Sequence, residues 1–281
     1  MNDGECAAFL QWALPRIDLR WAGFRKVRRQ VCRRLHRRVA ELGLDGLAAY
    51  RARLEADPPE WAVFDTMCRI TISRFHRDRG VFEAVRREVL PDVAARAQAE
   101  GRAAEAWSAG CASGEEAYTV RVLWDLEVVP GAPLNVLATD VDPAMIARAR
   151  QACYAPGSLR ELPPGLVERA FERRGREACL KPEHRAGVDF AAQDLRAAMP
   201  ERAFDLILCR YLAFTYFAEP LQRRVLAALV ERLRPGGWLV IGTHERLPET
   251  PELEAVSPQV FKRVPSPLAG EGGARREATG G

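Results

Sequence analysis

Apolar side chains change their spacing part-way along the chain. Up to about residue 95 they recur at three- and four-residue intervals, the period of a helix buried along one stripe. Phe24, Val27, Val31, Leu35, Val39 and Leu42 form such a stripe, and Gly43 is placed to end that helix. The pattern predicts further helices over 46–56, 60–69 and 81–98, the last kinked near Pro91. Beyond Gly101, short apolar runs alternate with helical ones, which predicts a mostly parallel sheet covered on both faces. Strands are expected near 104–108, 134–139, 188–191, 204–209 and 238–242, with helices near 115–126, 143–151 and 220–233. Arg234-Pro-Gly-Gly is expected to end the last of these helices and turn into the next strand, and 253–256 with 259–264 to form a closing antiparallel pair.

This divides the chain into a helical unit at 1–95, an α/β unit at 96–264 and a tail at 265–281 too poor in apolar residues to order. At 281 residues, with 48% hydrophobic positions, there is ample material for a core. No apolar run reaches the roughly 18 residues of a membrane span, and Met-Asn-Asp-Gly-Glu is not the cationic start of a signal peptide. The expected location is cytoplasmic. Seven cysteines stand singly, without C-x-x-C spacing, which argues against a disulfide framework and a zinc site.

Charge changes the picture in one place. The net charge is only +4, yet the polar face of the first long helix carries Arg25, Lys26, Arg28, Arg29, Arg33, Arg34, Arg37 and Arg38. Such a face is either simply solvated or a patch that steers anionic partners. No nucleic-acid motif accompanies it, so an acidic protein surface reached through Arg28, Arg29, Arg33 and Arg34 is the preferred partner.

The chemistry concentrates at Trp107-Ser-Ala-Gly-Cys-Ala-Ser-Gly-Glu-Glu-Ala-Tyr118. A strand, a turn with Gly110, Ser113 and Gly114, and a helix start bring backbone close to a nucleotide-like ligand. The next strand ends in Asp140, where an acid commonly accepts hydrogen bonds from ribose hydroxyls. Neither G-x-G-x-x-G nor G-x-x-x-x-G-K-[ST] is present. Glu115 and Glu116 would repel a diphosphate but suit a cation such as the ammonium of S-adenosylmethionine. Alternatively they only complement the helix dipole, worth about 0.3–1 kcal/mol.

These residues resemble the CheR family of S-adenosylmethionine-dependent chemotaxis-receptor protein-glutamate methyltransferases, over nearly the whole chain from about 10 to 264. Ile70-Thr-Ile-Ser-Arg-Phe-His-Arg-Asp78 resembles its block ending in Phe-Phe-Arg-Glu/Asp, and Gly114-Glu-Glu-Ala-Tyr118 its Gly-Glu-Glu-Pro-Tyr. Ala138-Thr-Asp-Val, Gln193-Asp-Leu195, Phe204-Asp-Leu-Ile-Leu-Cys-Arg210 and Leu233-Arg-Pro-Gly-Gly are similar to further blocks. The resemblance implies a small helical domain followed by a Rossmann-like class I methyltransferase domain with a seven-stranded sheet. It implies transfer of methyl to a glutamate carboxylate of a chemoreceptor cytoplasmic domain, with the basic helix docking the substrate protein.

By the same resemblance Arg77 pairs with the substrate carboxylate, unless it forms a surface ion pair with Asp78 or Glu83. Tyr216 orients the substrate or merely packs. The cofactor set is Ser73, Arg77, Gly110, Ser113, Gly114, Glu115 or Glu116, Asp140, Asp194, Leu195, Arg210 and Tyr211, with Asp194 and Leu195 flanking adenine. Departures fall on the acceptor side: Tyr211 where the family has asparagine, Thr71 and His76 in the Phe-Phe-Arg block, Ala117 for proline. A family β-insert maps to 172–187, short and charged, so tethering to a receptor tail peptide is not expected. Two alternatives remain: the same fold acting on another protein or a small molecule, or a non-catalytic cofactor-binding scaffold.

Overall fold

The computed structural model describes residues 3–264, so the tail at 265–281 lies outside the described residues. Ten strands occur in chain order: β1 (Ala104–Ala109), β2 (Leu134–Asp140), β3 (Cys153–Tyr154), β4 (Phe171–Arg174), β5 (Glu177–Leu180), β6 (Val188–Ala192), β7 (Phe204–Leu208), β8 (Leu233–Val240), β9 (Leu253–Ser257) and β10 (Val260–Arg263). Seven of them make one sheet in the order β6-β2-β1-β7-β8-β10-β9. The first five of that order run parallel, and β10 is antiparallel to both β8 and β9. The fold is therefore α/β and Rossmann-like, seven-stranded as expected. The chain winds outward from β1 in both directions, which opens a crevice beyond the carboxyl ends of β1 and β7.

Residues buried on both faces explain why these strands read as near-continuous apolar runs. Every residue of Phe204-Asp-Leu-Ile-Leu208 is buried. Its one acid, Asp205, is matched by the Arg102 guanidinium at 2.6 and 2.7 Å and by the Glu105 N–H at 2.9 Å. On one face of the sheet Phe82, Val85, Val120, Leu123, Val136 and Leu206 share a core. On the other face Leu10, Phe24, Leu35, Phe64, Trp107, Ile207 and Leu239 share a second. The N-terminal helices thus share one continuous core with this face of the sheet and with Leu226, Leu229 and Val230 of the helix Glu219–Arg232.

The helix expected over 81–98 belongs to the first core, not to the N-terminal helical layer. It runs Arg79–Ala84, a widened turn Val85–Val89, then Leu90–Ala99. The widened turn lies just before Pro91, whose missing N–H leaves a gap in the hydrogen-bond ladder. The basic helix spans Arg28–Glu41. Gly43, at φ +63°, closes it: Gly43 N–H donates to Ala40 and Leu44 N–H to Val39, each at 3.0 Å.

Three expectations are corrected. Leu233 already pairs with Phe204, so Arg234-Pro-Gly-Gly is a bulged strand start with Gly236 at φ +71°. The insert is a three-stranded sheet, β3-β5-β4, which begins at Cys153 instead of 172; a two-residue strand has no periodicity to read. Four of the seven cysteines form bridges, Cys6–Cys32 and Cys153–Cys179. Linear spacing does not reveal that one pair joins two packed helices and the other two directly opposed strands.

Candidate functional site

Two adjoining cavities occupy the crevice and share Ile70, Gly110, Asp140 and Leu212 as walls. The first, about 700 Å³, is an apolar slot. Leu19, Phe24 and Cys68 from the N-terminal helical layer line it together with Val141, Leu195 and Phe217, and Asp65, Asp194 and Tyr216 border it as well. The second, about 520 Å³, is polar: Ser73, Arg74, Arg77, Glu116, Arg210 and Tyr211 line it.

Asp140 ends β2 between the two. Ala112 N–H donates to its Oδ2 and Asp142 N–H to its Oδ1, each at 2.9 Å. Burial raises its pKa despite those two donors. Each oxygen holds one backbone proton, so each retains acceptor capacity for a diol. Gly110 leaves β1 at φ +86°, and a Cβ there would meet the Leu212 side chain at 2.5 Å. Only glycine fits that conformation and that space together.

The two glutamates part company. Glu115 is 2% exposed and accepts the Ser113 hydroxyl on both oxygens at 2.9 Å, away from the cavities. Glu116 faces the second cavity, accepting from Ser108 Oγ at 2.7 Å and Arg210 Nη1 at 3.0 Å. Gly114 (φ +89°) backs onto Ala149 and Phe190. Ser113, Gly114 and Glu115 thus shape the turn, while Gly110 and Glu116 border the space.

Arg210 follows β7 and its side chain is only 2% exposed. It bridges Glu116 to Asp78, whose Oδ2 it reaches at 2.8 Å, and donates to the Arg77 carbonyl at 2.7 Å. The Tyr211 hydroxyl also donates to Asp78. Burial alone would raise the Asp78 pKa; these two partners outweigh it and hold the carboxyl below its usual range. Arg77 is not paired with Asp78 or Glu83. Its guanidinium lies 3.8 Å over the Tyr211 ring and donates to the Ile72 carbonyl at 2.6 Å. Glu83 is taken by Arg86 and Arg87.

At the far end of the slot, Asp194 accepts from Arg196, and Arg196 forks onto Asp65 at 2.6 and 2.9 Å. Tyr216 packs 4.9 Å from Phe24, and burial raises its pKa to about 12.

This donor set matches a nucleoside bearing an ammonium. An acid with open acceptor sites ends β2, an apolar slot lies beside it, and a carboxylate stands at the helix start. The turn at 110–114 carries no lysine or arginine for a diphosphate. The family model described as CheR methyltransferase, SAM binding domain, matches residues 71–261. The chain belongs to the CheR methyltransferase family. S-adenosylmethionine is its cofactor, and it is a methyltransferase.

Among relatives of this CheR chain, a chemotaxis protein methyltransferase of Listeria monocytogenes is 32% identical over 66% of this chain and 68% of its own length. A probable chemotaxis protein methyltransferase of Rhizobium etli is 30% identical over 76% of this chain and 82% of its own. An uncharacterized 104.1 kDa protein of Rhodobacter capsulatus is 34% identical over 77% of this chain, which spans only 23% of that protein.

The basic face of the CheR chain is thinner than the sequence implies. Arg28 is tied to Asp3 at 2.5 Å, and Arg34 caps the Met67 and Arg69 carbonyls at 2.9 and 2.5 Å. Arg38 pairs with the buried Glu60 at 2.7 Å. Arg25, Lys26, Arg29 and Arg33 remain exposed. Sequence reasoning missed Glu245, an acid beyond β8 that is 5% exposed. It accepts from Thr215 Oγ1 at 2.6 Å, Tyr211 N–H at 2.8 Å and Gly242 N–H at 2.7 Å. An acid just past the end of a parallel strand was the available signal. Phe24 and Asp65 were also missed as slot residues, because nothing local shows that the helical layer reaches the crevice.

Proposed function

We propose that this chain methylates glutamate carboxylates of a chemoreceptor-like acidic protein in the cytoplasm. Arg77 carries the reading. Among the described residues no carboxylate pairs with it, and it stands at the wall of the polar cavity beside Asp140 and Glu116. A guanidinium so placed has donors to engage an incoming carboxylate in forked geometry. Of the carboxylates there, Asp78 and Glu116 are in contact with Arg210, and Asp140 accepts two backbone N–H groups. An acceptor carboxylate, ionised at neutral pH, needs no strong base.

S-adenosylmethionine supplies, when bound, an electrophilic methyl on a cationic sulfonium. Asp140 would hold its ribose hydroxyls, Asp194 and Leu195 would flank the adenine, and Glu116 would meet the ammonium. Ser73 and Arg210 would complete the polar wall, and Tyr216 would border the apolar slot. Alignment and exclusion of water then do most of the work, up to roughly 7–11 kcal/mol of barrier.

Incubation with labelled cofactor and receptor-bearing membranes is expected to yield base-labile methyl ester, and its absence from every receptor would overturn the reading. Arg77→Ala is expected to lower kcat/KM about 10–100-fold, the loss of one charged hydrogen-bond pair. Arg29→Glu with Arg33→Glu is expected to weaken receptor binding in sedimentation and to leave titration with S-adenosylhomocysteine unchanged. A second reading, the same transfer to another protein or a small molecule, draws on Tyr211 standing at the acceptor side; an acceptor screen decides between them.

A further inference from the structure

We propose that Tyr211 is a positioning residue that fixes the orientation of Arg77, and thereby sets affinity for the acceptor carboxylate more closely than affinity for the cofactor. The inference rests on the carboxylate-transfer reading above. Its first support is backbone conformation. Tyr211 has φ +57°, in the left-handed region that a bulky side chain rarely adopts and asparagine adopts readily. Of six non-glycine residues with positive φ among the described residues, three are at the polar cavity: Ala112 and Tyr211 line it and Asp78 accepts from Tyr211. Such conformations persist only where the surroundings over-determine them, and they gather at ligand clamps.

The surroundings of Tyr211 do over-determine it. Its N–H is held by Glu245 at 2.8 Å and its hydroxyl by Asp78. Its ring lies against Gly242, where an added Cβ would come within 2.8 Å of it. Glycine at 242 therefore makes room for this ring. The opposite consequence falls on Arg77, whose guanidinium donates to the Ile72 carbonyl. With the ring centroid 3.8 Å from its guanidinium carbon, a side chain rich in rotamers is confined to one wall of the polar cavity. The cofactor-side carboxylate Glu116 is held by Ser108 and Arg210, and Tyr211 is linked to it through Asp78 and Arg210. Arg77 lies directly on the ring, so the acceptor side depends on Tyr211 more closely than the cofactor side does.

The test uses Tyr211→Asn, which suits the backbone and removes the ring, and Tyr211→Phe, which keeps the ring and removes the hydroxyl. In the full chain, phenylglyoxal is expected to modify Arg77 several-fold faster in Tyr211→Asn than in wild type, by peptide mass mapping, with Tyr211→Phe near wild type. On receptor-bearing membranes Tyr211→Asn is expected to raise acceptor KM about tenfold, the scale of one cation–ring contact. Any loss of affinity for S-adenosylhomocysteine should be clearly smaller than the rise in acceptor KM, because Tyr211 reaches the cofactor side only through Asp78 and Arg210, and Tyr211→Phe should restore most of the KM. An unchanged Arg77 labelling rate in Tyr211→Asn would overturn the proposal, as would an equal loss of acceptor and cofactor affinity. If wild type forms no methyl ester, the carboxylate reading falls, while the labelling comparison still decides whether Tyr211 orients Arg77.

Discussion

Glu245 is a buried carboxylate whose three acceptor contacts tie the loop after β7 to the loop after β8. Burial holds its pKa above the usual 4.5 despite those donors. The ionised form is thus less favourable in the fold than in the unfolded chain. Stability from this group is full below pH 4.5 and declines as pH rises through the folded-state value. Glu245→Gln keeps an acceptor for Tyr211 and Gly242 and a partner for Thr215, and it cannot ionise. It is expected to melt at or above wild type at about pH 8, with the advantage shrinking as acid neutralises the wild-type carboxyl. Glu245→Ala strands two buried N–H groups and is expected to cost about 3 kcal/mol in denaturant unfolding. At this scale the sequence was half readable. Asp140 and Gly110 announce themselves because a strand tip constrains which residue types serve there. The split between Glu115 and Glu116 depends on the one-residue rotation of a helix start, and adjacent acids look alike in a string. The pairing of Arg210 with both Asp78 and Glu116 joins positions far apart in the chain.

Among the elements, the contact between the helix Pro58–Met67 and the segment after β6 closes the apolar slot. Asp65 and Arg196 make it through a two-pronged ion pair, with side chains 16% and 24% exposed. Removing either partner leaves the other partly desolvated, so a double-mutant cycle with Asp65→Asn and Arg196→Gln is expected to give a coupling of about 1–3 kcal/mol. Each single variant should also weaken S-adenosylhomocysteine in calorimetric titration, because Asp65, Asp194 and Arg196 all line the slot. The strands and helices of the sheet were legible because period-two, period-3.6 and fully apolar runs separate cleanly there. The β3-β5-β4 sheet and its Cys153–Cys179 bridge were not, since long-range pairing supplies what a two-residue strand lacks.

For the whole molecule, two cores lie on opposite faces of one sheet, and the division at residue 95 read from the sequence cuts across them. Composition and periodicity told helix from α/β correctly, but they carry no information about which layer a helix joins. The N-terminal helices serve as the lid of one sheet face and also as a wall of the crevice, through Phe24 and Asp65. A chain begun at Thr71 would retain nearly everything recognisable as a methyltransferase. It would also bare apolar residues that this layer now covers, such as Phe217 beside Leu19 and Tyr216 against Phe24, which favours self-association. Such a fragment is expected to elute as aggregate in size-exclusion chromatography and to bind no S-adenosylhomocysteine. A different head would have to close the same core again, so the N-terminal layer is bound to the integrity of the methyltransferase unit whatever it recognises.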